Sequence, residues 1–300
     1  ADRPLSACFD CPRRCGADRL AGEFGVCASG ALPRAARAAA HFGEEPCISG
    51  ERGSGAIFFT GCNLGCVYCQ NRDISGAVAP GVELSVQGLR DVMLRLRDSG
   101  VHNINLVTGT HYVRAIAEAL SGLELGIPVV WNSSGYESIE SLRLLEGLVQ
   151  IYMPDYKYSL PGPARKYSRA ADYPEVAAAA IEEMYRQVGA YRMDGDGMLE
   201  RGVIIRHLIL PGNIDNSIGC IDFVSQRFPQ GGVLFSLMSQ YTPMPGVGER
   251  FPELAAPVED EVAEMLYAYL LERGITDGYY QEPDASGDAM IPNWDLSGLI

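Results

Sequence analysis

From about residue 54 onward, short runs of almost wholly apolar residues alternate with stretches whose apolar residues recur at every third or fourth position, and this alternation limits the fold more than any other feature of the chain. The apolar runs are 56–60, 104–107, 128–131, 149–153, 203–210 and 233–237. Strands that are apolar nearly throughout are strands covered on both faces. Between them lie helical patterns: Val86, Leu89, Met93 and Leu96; Val113, Ile116, Ala117 and Leu120; Ala177, Ile181, Met184 and Val188; and finally Val258, Val262, Met265, Leu266 and Tyr269. Ser85 suits the N-cap of the first helix, Gly100 its end, and Pro174 the first turn of a later one. Repeated β-α units predict an α/β fold with a parallel sheet and right-handed crossovers, either an open barrel or a doubly wound sheet. In both, chemistry gathers at the carboxyl ends of the strands. Residues 158–172, with two prolines, several basic residues and no period, read as a long loop of the lid or binding type.

The first 53 residues are different: rich in Cys, Gly, Arg and Ala and weakly periodic, they suggest a small module held by its cysteines, ahead of a main body over 54–300. Of nine cysteines, seven fall into two groups, Cys8, Cys11, Cys15 and Cys27, then Cys62, Cys66 and Cys69. A net charge of −14 with no polybasic run argues against nucleic acid as a partner. No apolar run approaches the roughly 20 residues of a membrane span, and no signal pattern opens the chain, so a cytoplasmic protein is expected. In that reducing compartment clustered cysteines point to metal or redox use rather than to disulfides.

The first apolar run leads directly into Cys62-Asn-Leu-Gly-Cys66-Val-Tyr-Cys69, a C-x3-C-x2-C spacing. Three thiolates on one tight loop can hold three irons of a cubane and leave the fourth open to a ligand, whereas electron-transfer clusters are closed by four. Gly61 and Gly65 let the backbone curl around such a group, and Tyr68 can pack over an adenine. The alternatives are three buried thiols acting as small hydrophobes, or a shared zinc ion.

This motif, with an aromatic before its third cysteine, resembles the signature of the radical S-adenosylmethionine (SAM) superfamily, and Gln70-Asn71 is similar to its continuation in activating enzymes of glycyl-radical proteins. The resemblance covers most of the chain and is greatest to the pyruvate formate-lyase activating-enzyme-like iron–sulfur proteins, through Cys11-Pro-Arg-Arg-Cys15-Gly, Gly53-Ser-Gly55, Asn103-Ile-Asn105, Asn132-Ser-Ser-Gly-Tyr136 and Gln240-Tyr241. It implies a partial (β/α)6 TIM-like barrel of parallel strands. It also implies an anaerobic oxidoreductase whose 4Fe–4S cluster cleaves SAM reductively, giving a 5′-deoxyadenosyl radical for hydrogen abstraction from a protein glycine, a peptide or a small molecule. A flavodoxin- or ferredoxin-type reductant goes with that chemistry. The alternative is an iron–sulfur electron-transfer or cluster-delivery protein.

Further cofactor contacts follow from the resemblance at the strand ends. Thr108, Gly109 and Thr110 stand where the superfamily often has a Gly-Gly-Glu motif for the amino group of SAM, here without the glutamate; Thr110 can instead cap the next helix. Asn132 and Ser134 align with a ribose or cation site that usually carries Asp, and their rival role is to close the strand in a turn. Asp155 and Lys157 resemble an Asp-x-Lys step; two apart on an extended chain they point the same way, toward a cofactor carboxylate or ribose, or simply toward each other. Of Arg206 and His207 parity allows one to face inward, and His207 is the candidate cofactor contact or else a satisfied core histidine. Asn71 and Tyr68 complete the cofactor set, and Gln240 and Tyr241 are candidates for the substrate side. Cys8, Cys11, Cys15 and Cys27 have the count for one closed four-thiolate site, a second iron–sulfur cluster or a zinc, with His41 or Cys47 as conceivable substitutes.

Overall fold

The computed structural model describes residues 5–76, 79–281 and 292–299. Among the described residues ten strands form one sheet: β1 (Arg34–His41), β2 (Ser54–Phe59), β3 (Val82–Glu83), β4 (Ile104–Val107), β5 (Val129–Ser133), β6 (Ile151–Pro154), β7 (Arg192–Met193), β8 (Leu199–Leu208), β9 (Leu234–Met238) and β10 (Gly278–Gln281). Their order is β10-β9-β8-β6-β5-β4-β2-β1-β3, with β7 added to β8. From β2 to β10 every neighbour along this path is parallel, while β1, β3 and β7 pair antiparallel. The path has two ends, β10 and β3, so among the described strands the barrel is open.

Strand periodicity sorts the residues into two cores. Ile57, Leu106, Trp131, Tyr152, Ile205 and Phe235 point outward into a continuous core with the apolar stripes of helices Val86–Asp98, Val113–Leu120, Tyr173–Val188, Ile214–Arg227 and Asp260–Glu272. Ser85 caps the first of these, accepting from Gly88 N at 3.0 Å. Val130, Ile151, Met153, Ile204 and Leu234 point inward onto Cys47 and Ile48 of a short helix, Pro46–Ser49, which fills the inside of the barrel from below. Complete burial of Ile48 contributes on the order of 1.5–3 kcal/mol to seating this helix.

Three sequence expectations change. The body of the protein begins before residue 54: β1 and the interior helix, both within the first 53 residues, belong to the sheet and its filling. The segment 158–172 contains a helix, Pro161–Ser168; its prolines sit in the first turn, where no hydrogen bond is lost, and Ala164, Tyr167 and Ser168 are buried. A seventh parallel strand, β10, follows the last helix. The tail then docks on β1 and β2: Ala38 N donates to Ser297 O at 2.9 Å, and Trp294 meets Phe58 of β2 edge to face. Among the described residues no helix is long and apolar enough to cross a membrane.

Candidate active site

At the carboxyl ends of the parallel strands lies an open cavity of about 270 Å3, at the lower edge of the ~300–1,000 Å3 usual for ligand sites. One wall is the loop after β2. Cys62, Cys66 and Cys69 all line the cavity as free thiols. Gly61 enters the loop at φ +82°, and a Cβ there would collide with Ser29 Oγ and the Cys27 carbonyl oxygen, so only glycine fits. The Cys62 sulfur accepts from Leu64 N at 3.4 Å and the Cys66 sulfur from Ser168 Oγ at 3.1 Å. A relay runs on from Ser168 to Tyr158 and Tyr68, each step 2.8 Å, so Tyr68 is buried at the cavity wall with its hydroxyl committed. Burial raises the Cys62 thiol and, with the neighbouring cysteines, pushes Cys69 up to about 12. As free thiols they hold their protons at neutral pH, and metal ligation would release them.

The same cavity is lined by a buried network of charges. Lys157 Nζ donates to Asp155 Oδ2 at 2.6 Å. Arg206 Nε reaches Asp155 Oδ1 at 3.0 Å, its Nη1 reaches Glu44 Oε2 at 2.9 Å and its Nη2 reaches Asn132 Oδ1 at 2.7 Å. Asn105 and Asn132 each donate to Glu44 Oε1 at 2.9 Å. Burial alone would push the Asp155 carboxyl up, but Lys157 and Arg206 outweigh it and hold it below its ordinary range. Burial likewise opposes the charge on Lys157, and Asp155 more than restores it.

A model of the radical SAM superfamily matches residues 56–217, which span the cysteine loop, Asp155 and Lys157 just after β6, and Arg206 on β8. The chain belongs to the radical SAM superfamily. Membership implies a 4Fe–4S cluster and SAM, and the superfamily's general chemistry is radical and SAM-dependent. Over 212 residues, 68% of the chain, it is 32% identical to uncharacterized protein MJ0674 of Methanocaldococcus jannaschii, and the match spans 57% of that relative's length. Among solved structures it is similar to SuiB of Streptococcus suis, with a TM-score of 0.50 at 12% identity over 78% of this chain and 49% of that one. A domain of a pyruvate-formate lyase-activating enzyme from Bacteroides vulgatus ATCC 8482 matches at a TM-score of 0.40 and 12% identity, over 57% of this chain and 92% of that one. At such identities the likeness to solved structures concerns the fold alone.

Not every residue expected at a radical SAM cofactor site reaches the cavity. Asn71, Thr108, Asn132, Ser134, Asp155 and Lys157 line it, as does Gln240. Thr108 takes φ +59°, and its N–H donates to Asn132 O at 2.8 Å; this left-handed residue ends β4 and sends the chain away. Gly109 and Thr110 therefore leave the cavity: a Cβ on Gly109 would strike Ile116 and Trp131, and Thr110 Oγ1 donates to the buried Glu137 at 2.7 Å rather than capping a helix. His207 also turns away. Arg206 takes the inward position, and His207 is buried between Tyr156 O at 2.8 Å and Ser217 Oγ at 2.9 Å, where burial lowers its pKa to about 4. Tyr241 is buried, donating to Leu254 O, and Cys47 lies inside the barrel with Ile48.

The N-terminal cysteines are free thiols drawn together: burial chiefly, with Cys27, Cys8 and Cys15 adding to it, pushes Cys11 up to about 12. Among the described residues no group of three or more His, Cys, Asp or Glu side chains is arranged for a single metal ion; a cubane, with its irons spread over several ångströms, does not need one. Two contacts tie this segment to the radical SAM loop. Cys62 N donates to Cys27 O at 3.2 Å. Arg13, between Cys11 and Cys15, donates to Asn63 O at 2.8 Å, Leu64 O at 3.1 Å, Ser168 O at 2.8 Å and Arg169 O at 2.7 Å. Sequence reasoning missed Arg13 and Glu44. The only signals were an arginine inside a Cys-x3-Cys unit and an acidic pair ahead of Pro46 at a helix start.

Proposed function

We propose that the chain is an enzyme in which Cys62, Cys66 and Cys69 hold a 4Fe–4S cluster with one iron left for SAM. The supporting observation is that three free thiols and a buried ammonium line one strand-end cavity. When bound, a reduced cluster of this kind supplies an electron to the sulfonium of SAM and splits it into methionine and a 5′-deoxyadenosyl radical. The protein's own residues bind and orient. Lys157 pairs with the cofactor carboxylate while Asp155 holds it in place; Asn132 and Ser134, whose Oγ is buried without a partner, serve the ribose hydroxyls. Thr108 offers its backbone to the amino group, and Asn71 and Tyr68 flank the adenine. The relay from Tyr68 to Ser168 directs a hydroxyl at the Cys66 sulfur and holds that side chain at the cavity wall.

In this reading the chain has two parts, the Cys-rich N-terminus with its own site at Cys8, Cys11, Cys15 and Cys27 for a second iron–sulfur cluster, the arrangement of the thiols not suiting a single zinc ion, and the partial barrel with its C-terminal helix and tail. The substrate is a protein glycine, a peptide or a small molecule, and a flavodoxin- or ferredoxin-type protein is the reductant. Anaerobic reconstitution with dithionite and SAM, followed by chromatography, tests the core of this. Wild type is expected to form 5′-deoxyadenosine and Cys62→Ala to form none. A wild-type protein that takes up a cluster yet never cleaves SAM would instead be an electron carrier.

A further inference from the structure

Below the cysteine loop the cavity reaches the turn Gly43-Glu44-Glu45 that leads into the interior helix. The two glutamates differ. Glu44 is fully engaged by Arg206, Asn105 and Asn132. Glu45 lines the same cavity, is 1% exposed, and its Oε2 has no hydrogen-bond partner. Ser236 lies beside it on β9, the strand next to Arg206, and Ser236 Oγ is unpartnered too. So are Asn105 Oδ1, on the amide that serves Glu44, and Gln240 Oε1 on the cavity wall.

Among the described residues, every buried, unfilled side-chain atom on this cavity or abutting its floor is an oxygen. A buried acceptor without a donor is costly, and such a set is complementary to a group rich in N–H. The charges point the same way. Among the described residues lining the cavity, the carboxylates are Glu44, Glu45 and Asp155, against the cations Lys157 and Arg206. Asp155 takes both cations and Glu44 shares Arg206; Glu45 feels Arg206 without an ion pair of its own, and burial outweighs that attraction and raises its carboxyl above the ordinary range. His41, the other titratable side chain there besides the three cysteines and Tyr68, is held below its ordinary pKa by burial and Arg37 and is uncharged at neutral pH. A neutral donor would fill the oxygens and leave that carboxyl protonated; an ammonium or guanidinium fills them and lets it ionise as its partner.

We propose that Glu45, with Ser236, Asn105 and Gln240, forms a subsite for a positively charged nitrogen of the substrate, so that the substrate is an amine or guanidine, free or as a basic side chain. This assignment of substrate class rests on the reading of the cavity as a SAM-dependent active site. The test uses cluster-reconstituted protein with saturating SAM, so that the ammonium of SAM itself is not the group measured. Isothermal titration compares n-butylammonium with 1-butanol. Wild type is expected to bind the ammonium at least about tenfold more tightly, and Glu45→Gln to bind the two alike. A wild-type ratio near one overturns the proposal, as does a ratio that survives in Glu45→Gln. If Glu45→Gln does not fold, Ser236→Ala serves instead: a fall in the ratio of at least about threefold supports the subsite, and an unchanged ratio overturns it. Formation of 5′-deoxyadenosine by wild type is read separately. Cation preference without SAM cleavage keeps the subsite and removes the enzymatic reading, and cleavage without cation preference does the reverse.

Discussion

The two faces of the same strands carry different work. On the outer face Leu106, Trp131, Tyr152, Ile205 and Phe235 are apolar or aromatic and join the helix-covered core, whereas the inner face presents Asn105, Asn132, Arg206 and Ser236, each one residue from these along its strand, and Asp155 just past the end of β6. The floor below them is apolar again, sealed by Ile48. Polar groups thus occur inside the barrel only where a neighbour on an adjacent strand or the 43–45 turn can satisfy them, or where a ligand must. The lesson is that stability and chemistry are separated here by a single step along a strand, which makes adjacent residues a sharp test of both.

The largest expected effects come from removing a bulky member of one face or the key charge of the other. Trp131 is fully buried, and its indole N–H donates to Glu137 at 3.1 Å. Trp131→Ala is expected to lower unfolding stability by about 3–5 kcal/mol, measured by urea denaturation. Arg206→Met leaves Glu44 without its cation and weakens the hold on Asp155 and Asn132; a loss of about 3 kcal/mol is expected, together with weaker SAM binding by equilibrium dialysis. Weaker SAM binding in His207→Gln and not in Arg206→Met would break the comparison.

His207→Gln should act on stability alone, by about 1–2 kcal/mol, since Tyr156 O and Ser217 lose an ideal partner. The pH dependence sharpens this. His207 has its folded pKa lowered from 6.5 to about 4 by burial, so below pH 6.5 the unfolded chain takes up a proton that the folded one refuses. Its contribution is complete above about pH 6.5 and is lost as pH falls toward 4, at up to about 1.4 kcal/mol per pH unit. Stability curves for wild type and His207→Gln are therefore expected to converge as pH falls below 6.5 and to cross before pH 4; parallel curves would place the titrating proton elsewhere.

Particular residues show why some of this was legible in the sequence and some not. The cysteine loop, the apolar runs and the helix capped by Ser85 are local signals, and each lies where local pattern puts it. Choosing between Arg206 and His207 requires the register of β8, which is set by pairing with β6 and β9 and is not written in the run itself. The strand Arg34-Ala-Ala-Arg-Ala-Ala-Ala-His41 lacks apolar alternation of any size, because between β2 and β3 its buried positions are filled by alanines. Glu44 meets Arg206 across 162 positions and Arg13 meets Arg169 across 156. No spacing rule spans such distances. Thr110 misled because a hydroxyl before a helix reads as a cap, while a buried carboxylate nearby, Glu137, claimed it.

The smallest expected effect falls between the two regions, at Arg13. Its four carbonyl partners come from the cysteine loop and from the end of the helix Pro161–Ser168, so the guanidinium fastens one to the other while its backbone is set by Cys11 and Cys15. The bonds are partly exposed, and the net loss in Arg13→Gln is about 1.4 kcal/mol, confined to the loop because neither face of the sheet is touched. Such a loss corresponds to roughly tenfold faster amide hydrogen exchange. The expected result is that acceleration across residues 62–69, most clearly at Leu64 N, which faces the Cys62 sulfur, with the urea midpoint unmoved. Arg13→Lys should recover little, because a single ammonium cannot span four carbonyls set for a planar fork. Uniform acceleration through β4, β5 and β8 would mean instead that the N-terminal segment supports the barrel as a whole, and that the division between its scaffold and its chemistry runs through the sheet rather than along its two faces.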